Sequence, residues 1–296
     1  MAGEPTGRTA EVWLEVSGVH LEGVVWDDAA GLVRFVDIPR GKVFHADPAT
    51  AEAGVVDLPA PVTAVHPTTD PATLLIADGD GMALVSGGAV TERLAAPLAG
   101  RPEIRMNDGN VDPAGRYLAG SMAYDVTPGA ACLYRLNRDR SLDTVLTDVT
   151  IGNGLDWSPD GTLCYFVDTP TRRVDLFDYD VATGELSGRR VFADTSGVPG
   201  MPDGLTVDAG GGVWVAFWGG SRVVRYAPDG GLDQTVHLPV TQVTSCAFGG
   251  PDLDQLYITT STETLSPEAL RRQPAAGAIF RAEPGRRGLP ANRFVI

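Results

Sequence analysis

At 296 residues the chain could hold one large domain or two small ones, and its 43% hydrophobic and 21% charged content is that of a folded, core-burying protein. Its 38 acidic residues outnumber 23 basic ones for a net charge of −15, which repels phosphate backbones and anionic lipid and argues against nucleic acid or a membrane as partner. No run approaches the roughly 18 apolar residues of a membrane span, and MAGEPTGRTAEVW carries no apolar leader, so a soluble, cytoplasmic protein acting on a small molecule is expected.

Taken in chain order, residues 1–9 read as a flexible N-terminus and residues 10–296 as a single all-β domain. Strand AEVWLEV, residues 10–16, comes first and is expected to supply the outer strand of the last structural unit. Six related segments follow: EGVVWDDAAGLVRFVD from Glu22, VTAVHPTTDPATLLIAD from Val62 and DGNVDPAGRYLAGSM from Asp108, then NGLDWSPDGTLCYFVD from Asn153, DGLTVDAGGGVWVAFW from Asp203 and TSCAFGGPDLDQLYIT from Thr244. They start roughly 40–50 residues apart, and each reads as strand, turn, stronger strand, turn and strand, the spacing of a propeller blade. Six units predict a six-bladed β-propeller. The 36 glycines and 22 prolines supply its many turns. The three cysteines, Cys132, Cys164 and Cys246, are scattered with no C-x-x-C pair and read as small buried thiols in a reducing compartment. Lys42 is the sole lysine, a bias toward arginine that points to a GC-rich bacterial source.

The first residue of each unit opens an innermost strand, so these positions converge on the central channel. Around the ring they are Glu22, Val62, Asp108, Asn153, Asp203 and Thr244, and the four that are carboxylate or carboxamide each precede a glycine. Pro202-Asp203-Gly204 and the other Asp-Gly and Asn-Gly pairs have a plain reading as turns, but glutamate is no turn former. Carboxylates meeting at one end of a channel repel unless a cation or protons sit among them. Oxygen ligands of this kind suit Ca²⁺, Mg²⁺ or Mn²⁺ and can hold Zn²⁺, so one divalent ion in the central channel is expected. Arg105 and Asn107 lie two residues apart just before Asp108, on one side of an extended chain, where an arginine can meet a substrate carboxylate, hydroxyl or oxyanion. The alternative is an arginine paired with a structural aspartate. Of the four histidines, which show no ligand spacing, His66 is nearest the channel.

At these residues the chain resembles the gluconolactonase/regucalcin (senescence marker protein) family of metal-dependent lactonases. The resemblance runs from about Glu22 to Phe294 and is carried by RMNDGNVDPAGRYLAGSMAYD, NGLDWSPDGTLCYFVDTPTRRVDLFDYD and PDGLTVDAGGGVWVAFWGGSRVVRYAPDG. It implies a six-bladed propeller, metal ligands at Glu22, Asn153 and Asp203, substrate contacts at Arg105, Asn107 and Asp125, and Asp203 as general base; Asp108, from its place in the repeat, is expected to support them. The implied reaction is hydrolysis of a sugar lactone or related hydroxylated cyclic ester by metal-activated water. The chain departs from the family pattern at Val24, where E-G-P-V-W has proline, and at Asp125, a shorter acid beside bulky Tyr124. No G-x-S-x-G, H-E-x-x-H or G-x-G-x-x-G pattern occurs, against serine hydrolase, zincin and dinucleotide chemistry. The competing readings are another ester or amide hydrolysis, cyclase or lyase step at the same site, and a non-catalytic calcium-binding propeller. A monomer or weak homo-oligomer is expected.

Overall fold

The computed structural model describes residues 6–296, and strands dominate it. Two N-terminal strands, β1 (Thr6–Thr9) and β2 (Glu11–Glu15), precede the first blade, β3 (Leu21–Asp27), β4 (Leu32–Asp37), β5 (Lys42–Ala46) and β6 (Ala53–Asp57). Blade two is β7 (Val62–Pro67), β8 (Thr73–Asp78), β9 (Met82–Ser86) and β10 (Ala89–Ala95). Blade three is β11 (Ile104–Val111), β12 (Tyr117–Ala123), β13 (Ala131–Leu136) and β14 (Leu142–Val149). Blade four is β15 (Gly152–Trp157), β16 (Leu163–Asp168), β17 (Arg173–Asp180) and β18 (Glu185–Asp194). Blade five is β19 (Met201–Val207), β20 (Val213–Trp218), β21 (Arg222–Tyr226) and β22 (Leu232–His237). Blade six is β23 (Val243–Gly249), β24 (Gln255–Thr260) and β25 (Ala278–Ala282). Each innermost strand touches that of the next blade, and β23 touches β3, which closes the six-bladed ring.

Burial grades outward along each blade. Every residue of β3 and β7 is buried, because both faces of an inner strand are covered by neighbouring blades, whereas outer β6 alternates exposed and half-buried. The core is therefore distributed between blades. Trp214 of blade five meets Phe248 of blade six edge to face at 5.6 Å, and Tyr257 and Ile279 of blade six join Trp26 and Phe35 of blade one. The sole α-helix among the described residues, α1 (Pro267–Arg272), links β24 to β25 and starts at Ser266, whose hydroxyl accepts from Ala269 N–H. No helix among the described residues is long and apolar enough to cross a membrane.

The N-terminal segment staples two blades. β2 pairs antiparallel with β25 as the fourth strand of blade six. Thr6–Thr9, within the stretch expected to be flexible, instead form β1, which pairs parallel with β22 as a fifth strand of blade five. The unpaired edge of β22 explains the difference, since its free backbone groups can order a short polar segment that has no apolar pattern of its own. Residues 1–5 of that stretch lie outside the described residues.

Residues 283–296 run across the end of the ring where the inner strands finish. Ala209 N donates to Arg287 O, Gly288 N to Leu253 O, Phe294 N to Pro67 O and Val295 N to Gly115 O, so this segment touches blades five, six, two and three. Phe294 is 2% exposed in a cluster with Leu75, Val111, Tyr117 and Leu136. Phe294→Ala should cost about 3–5 kcal/mol of stability, the usual cost of emptying a buried phenylalanine site. Urea unfolding would check this, and a loss below about 1 kcal/mol would mean that the segment does not anchor there.

Candidate metal and substrate site

The innermost strands are irregular at one level. Register shifts interrupt β3 between Glu22 and Val25, β11 between Met106 and Gly109, β15 between Gly152 and Leu155, β19 between Pro202 and Leu205, and β23 between Val243 and Cys246. Such bulges put extra residues opposite one partner residue and re-aim side chains. They carry Asn107–Asp108, Asn153–Gly154, Asp203–Gly204 and Thr244–Ser245, while Glu22 is the last paired residue before the bulge of β3. Pro202-Asp203-Gly204 is thus no turn but the interior of β19. The shared first position of the repeat also needs correcting: Asn107, not Asp108, is level with Asn153, Asp203 and Thr244, with Asp108 one place later and Glu22 one earlier.

Close approach, not chain reversal, explains two of the glycines. A Cβ on Gly154 would lie 2.6 Å from Asp203 O and 2.7 Å from Leu205 N. One on Gly204 would lie 2.5 Å from Ser245 Oγ and 2.9 Å from Ser245 Cα. Any side chain there would drive the neighbouring inner strand away.

Glu22, Asp203 and Asn153 are each 6% exposed. Burial pushes the Glu22 carboxyl well above the ordinary range, and the negative charges of Asp203 and Asp108 push it further. Asp203 is raised in the same way by burial and then by Asp108, with Asn153 and Arg105 opposing. Asp108 is pushed up to about 6 by burial, against the Gly109 N–H that donates to its Oδ1 at 2.7 Å. The bulges of β3, β11 and β19 put these three acids at one end of the channel, close enough for Glu22 to feel Asp203 and Asp108, and Asp203 to feel Asp108. Among the described residues no group of three His, Cys, Asp or Glu side chains is arranged to hold a metal ion, so a cation held here needs an oxygen donor of another kind.

The third oxygen comes from Asn153. Thr169 Oγ1 donates its single proton to Pro202 O at 2.9 Å, so it must accept from Asn153 Nδ2 at 3.1 Å. That fixes the amide orientation and leaves Asn153 Oδ1 buried with no hydrogen-bond partner. A bare acceptor beside two carboxylates is a set of donor atoms that fits a hard divalent cation and lacks any other evident purpose.

Arg105 is 9% exposed, and its Nη1 donates to Met106 O at 2.9 Å and Asn107 Oδ1 at 2.7 Å. Its Nε and Nη2 have no protein acceptor among the described residues, so these donors remain for a ligand. Asn107 Nδ2 donates to Gly152 O at 2.9 Å, which engages both ends of the carboxamide and makes Asn107 a brace between Arg105 and blade four. The structure does not bring Asp125 to this group. Its exposed carboxylate accepts from Thr127 N at 3.0 Å and Thr127 Oγ1 at 2.8 Å, a local turn that outcompetes any reach inward. Its neighbour Tyr124 instead places its ring 5.9 Å from the Arg105 guanidinium. His66 is spoken for as well, with Nε2 2.8 Å from Gly109 O, tying blade two to blade three.

Sequence reasoning passed over His20, Trp218 and Glu263. The His20 and Trp218 rings are 5.4 Å apart, and Arg105 acts electrostatically on both His20 and Glu263. A legible signal existed in the paired FVDIP and FVDTP motifs. Asp37 accepts from Val19 N and His20 N, and Asp168 from Thr150 N and Ile151 N, so each second strand fixes the backbone just ahead of its own blade's site residue.

Residues 21–262 match the SMP-30/Gluconolactonase/LRE-like region family model. Regucalcin of Oryctolagus cuniculus is 38% identical over 276 residues, 91% of this chain and 92% of that protein. A calcium-binding regucalcin of Agrobacterium tumefaciens superposes with a TM-score of 0.93 at 30% identity, covering 98% of this chain and 99% of that one. A luciferin-regenerating enzyme does so with a TM-score of 0.88 at 29% identity, over 94% and 96% of the two chains. With the channel-end acids, the orphaned carboxamide and the ring topology all in place, the chain belongs to the SMP-30/gluconolactonase/regucalcin-like family.

Proposed function

We propose that this protein is a divalent-metal-dependent lactonase that opens a hydroxylated cyclic ester by adding water to its carbonyl. Family membership supports a lactonase-like activity. The observation that carries the reading here is the bare Oδ1 of Asn153 beside buried Glu22 and Asp203, with the unpaired donors of Arg105 nearby. Glu22, Asp203 and Asn153 Oδ1 would hold the ion, which when bound supplies Lewis-acid polarisation of the ester carbonyl. All-oxygen ligation favours Ca²⁺, Mg²⁺ or Mn²⁺ and tolerates Zn²⁺.

The chain's own groups do the rest. Asp203 takes a proton from the attacking water as its oxygen bonds the carbonyl carbon. As the ring C–O bond breaks, the same proton passes to the departing ring oxygen, leaving a hydroxy acid. Arg105 Nε and Nη2 donate to substrate oxygen, including the oxyanion that forms during attack. Asn107 holds the guanidinium in the plane this requires.

Turnover of glucono-δ-lactone should vanish after thorough chelation and return with one of the four ions. Asp203→Ala should lower kcat by roughly 10²–10⁴, the range for a positioned base, or more because a ligand is lost too. Activity that survives both treatments would sink the proposal.

A pH dependence follows from the raised carboxyls. Folded-state values above the unfolded ones mean that their favourable contribution is complete below about pH 4 and lost as pH rises, for Asp108 through about 6. In metal-stripped protein Glu22→Gln should therefore raise Tm more at pH 7 than at pH 5, a comparison in which the opposing contributions of His20 and His66, both lowered by burial, are common to both proteins. Added Ca²⁺ should raise the wild-type Tm more at pH 7. Calorimetric scans would measure this, and a Glu22→Gln effect on Tm equal at the two pH values, or larger at pH 5, would contradict it.

A further inference from the structure

His20 stands two residues ahead of Glu22, and the reaction above has no use for it. Its backbone is pinned: the N–H donates to Asp37 Oδ1 at 3.1 Å and the carbonyl accepts from Ile38 N at 3.0 Å. The ring is held edge-on against Trp218, with Nδ1 2.9 Å from Ser261 Oγ. The Ser261 hydroxyl has one proton, which it donates to Val19 O at 2.9 Å, while its oxygen also accepts from Glu263 N–H at 2.9 Å. With that proton directed at Val19 O, the contact with His20 is made by a proton on Nδ1. Glu263 Oε2, 3.7 Å from the same nitrogen, favours that tautomer as well.

Nε2 is then a bare acceptor. It has no partner among the described residues, and the side chain keeps 12% exposure. The ring lies two residues ahead of Glu22, against Trp218 of blade five and beside Ser261 of blade six, at the channel end where the inner strands begin. Arg105 can only donate, and Glu22, Asn153 Oδ1 and Asp203 would be committed to the cation and, in the case of Asp203, to the proton of the attacking water. A substrate hydroxyl proton needs an acceptor, and His20 Nε2 is free to be one.

We infer that His20 Nε2 accepts a hydrogen bond from a ring hydroxyl of the substrate, so that the site selects hydroxylated over bare lactones, with Ser261 as the residue that sets the tautomer. The inference rests on the lactonase reading for its substrate, but the acceptor can be tested without turnover. His20→Phe keeps an aromatic ring against Trp218 and removes both nitrogens. It should raise KM for glucono-δ-lactone about tenfold, the effect of one neutral hydrogen bond, and change KM for δ-valerolactone less than about twofold. Ser261→Ala should produce a smaller rise on the hydroxylated lactone alone. Equal effects on both substrates, or none on either, would overturn the assignment.

The second arm uses the imidazole nitrogen spectrum of wild-type protein, which needs neither a variant nor catalysis. It should report the Nδ1–H tautomer, with the Nε2 signal moving on addition of methyl β-glucopyranoside and not of tetrahydropyran. The opposite tautomer, or no response to the hydroxylated ring, would overturn the inference. If wild-type protein opens no lactone yet Nε2 responds as described, the lactonase reading fails while His20 stands as a hydroxyl acceptor.

Discussion

Six inner strands converging on one axis have too little room for six regular ladders with ordinary side chains, and the rest of the molecule answers to that crowding. Bulges relieve it by turning extra residues out of register, and glycines at 154 and 204 let adjacent backbones close to contact distances that a Cβ would forbid. The same crowding keeps water away from Glu22, Asn153 and Asp203. A wider ring would hydrate them and leave three ordinary polar residues. The site chemistry is thus a product of ring geometry before it is a product of residue identity.

Electrostatics turns this confinement into a preference for a cation. Two buried acids beside a third have no cheap arrangement on their own: protons or positive charge must enter. Arg105 does not supply it by direct pairing, because its one engaged nitrogen goes to Met106 O and Asn107 Oδ1. The guanidinium is held close enough to influence the acids yet stays free to donate elsewhere. Asp37 and Asp168, one strand outward, keep the backbone ahead of Glu22 and Asn153 in place, so the arrangement does not depend on the flexible reach of long side chains.

The blades and most of the candidate site were legible in the sequence because both repeat. Glu22, Asn153 and Asp203 stood out through their spacing and the glycine after each, and Arg105 and Asn107 through their place beside Asp108. What escaped was set by local competition or by contacts distant in sequence. Thr127 captures Asp125 through hydrogen bonds that a spacing argument cannot weigh. The β22 edge recruits Thr6–Thr9, which have no strand pattern of their own. The bulges displaced Asp108 and Glu22 from a common register, since a repeat read as aligned letters contains no extra backbone. His20 acquires meaning from Ser261 and Trp218, some 200 or more residues away.

The N-terminal staple bears on how the ring moves. Adjacent blades in a ring have two neighbours each, so opening any one junction leaves the other five holding the circle in place. The junction between blades five and six is the one that β1 and β2 bridge from outside, with Ala10 N donating to His237 O between them. A stack of repeats frays from its terminal members, whereas here no blade is terminal. Amide exchange in the inner strands would then be governed by opening of the whole circle, with slow protection of similar depth in every blade and no graded sequence of partially unfolded forms.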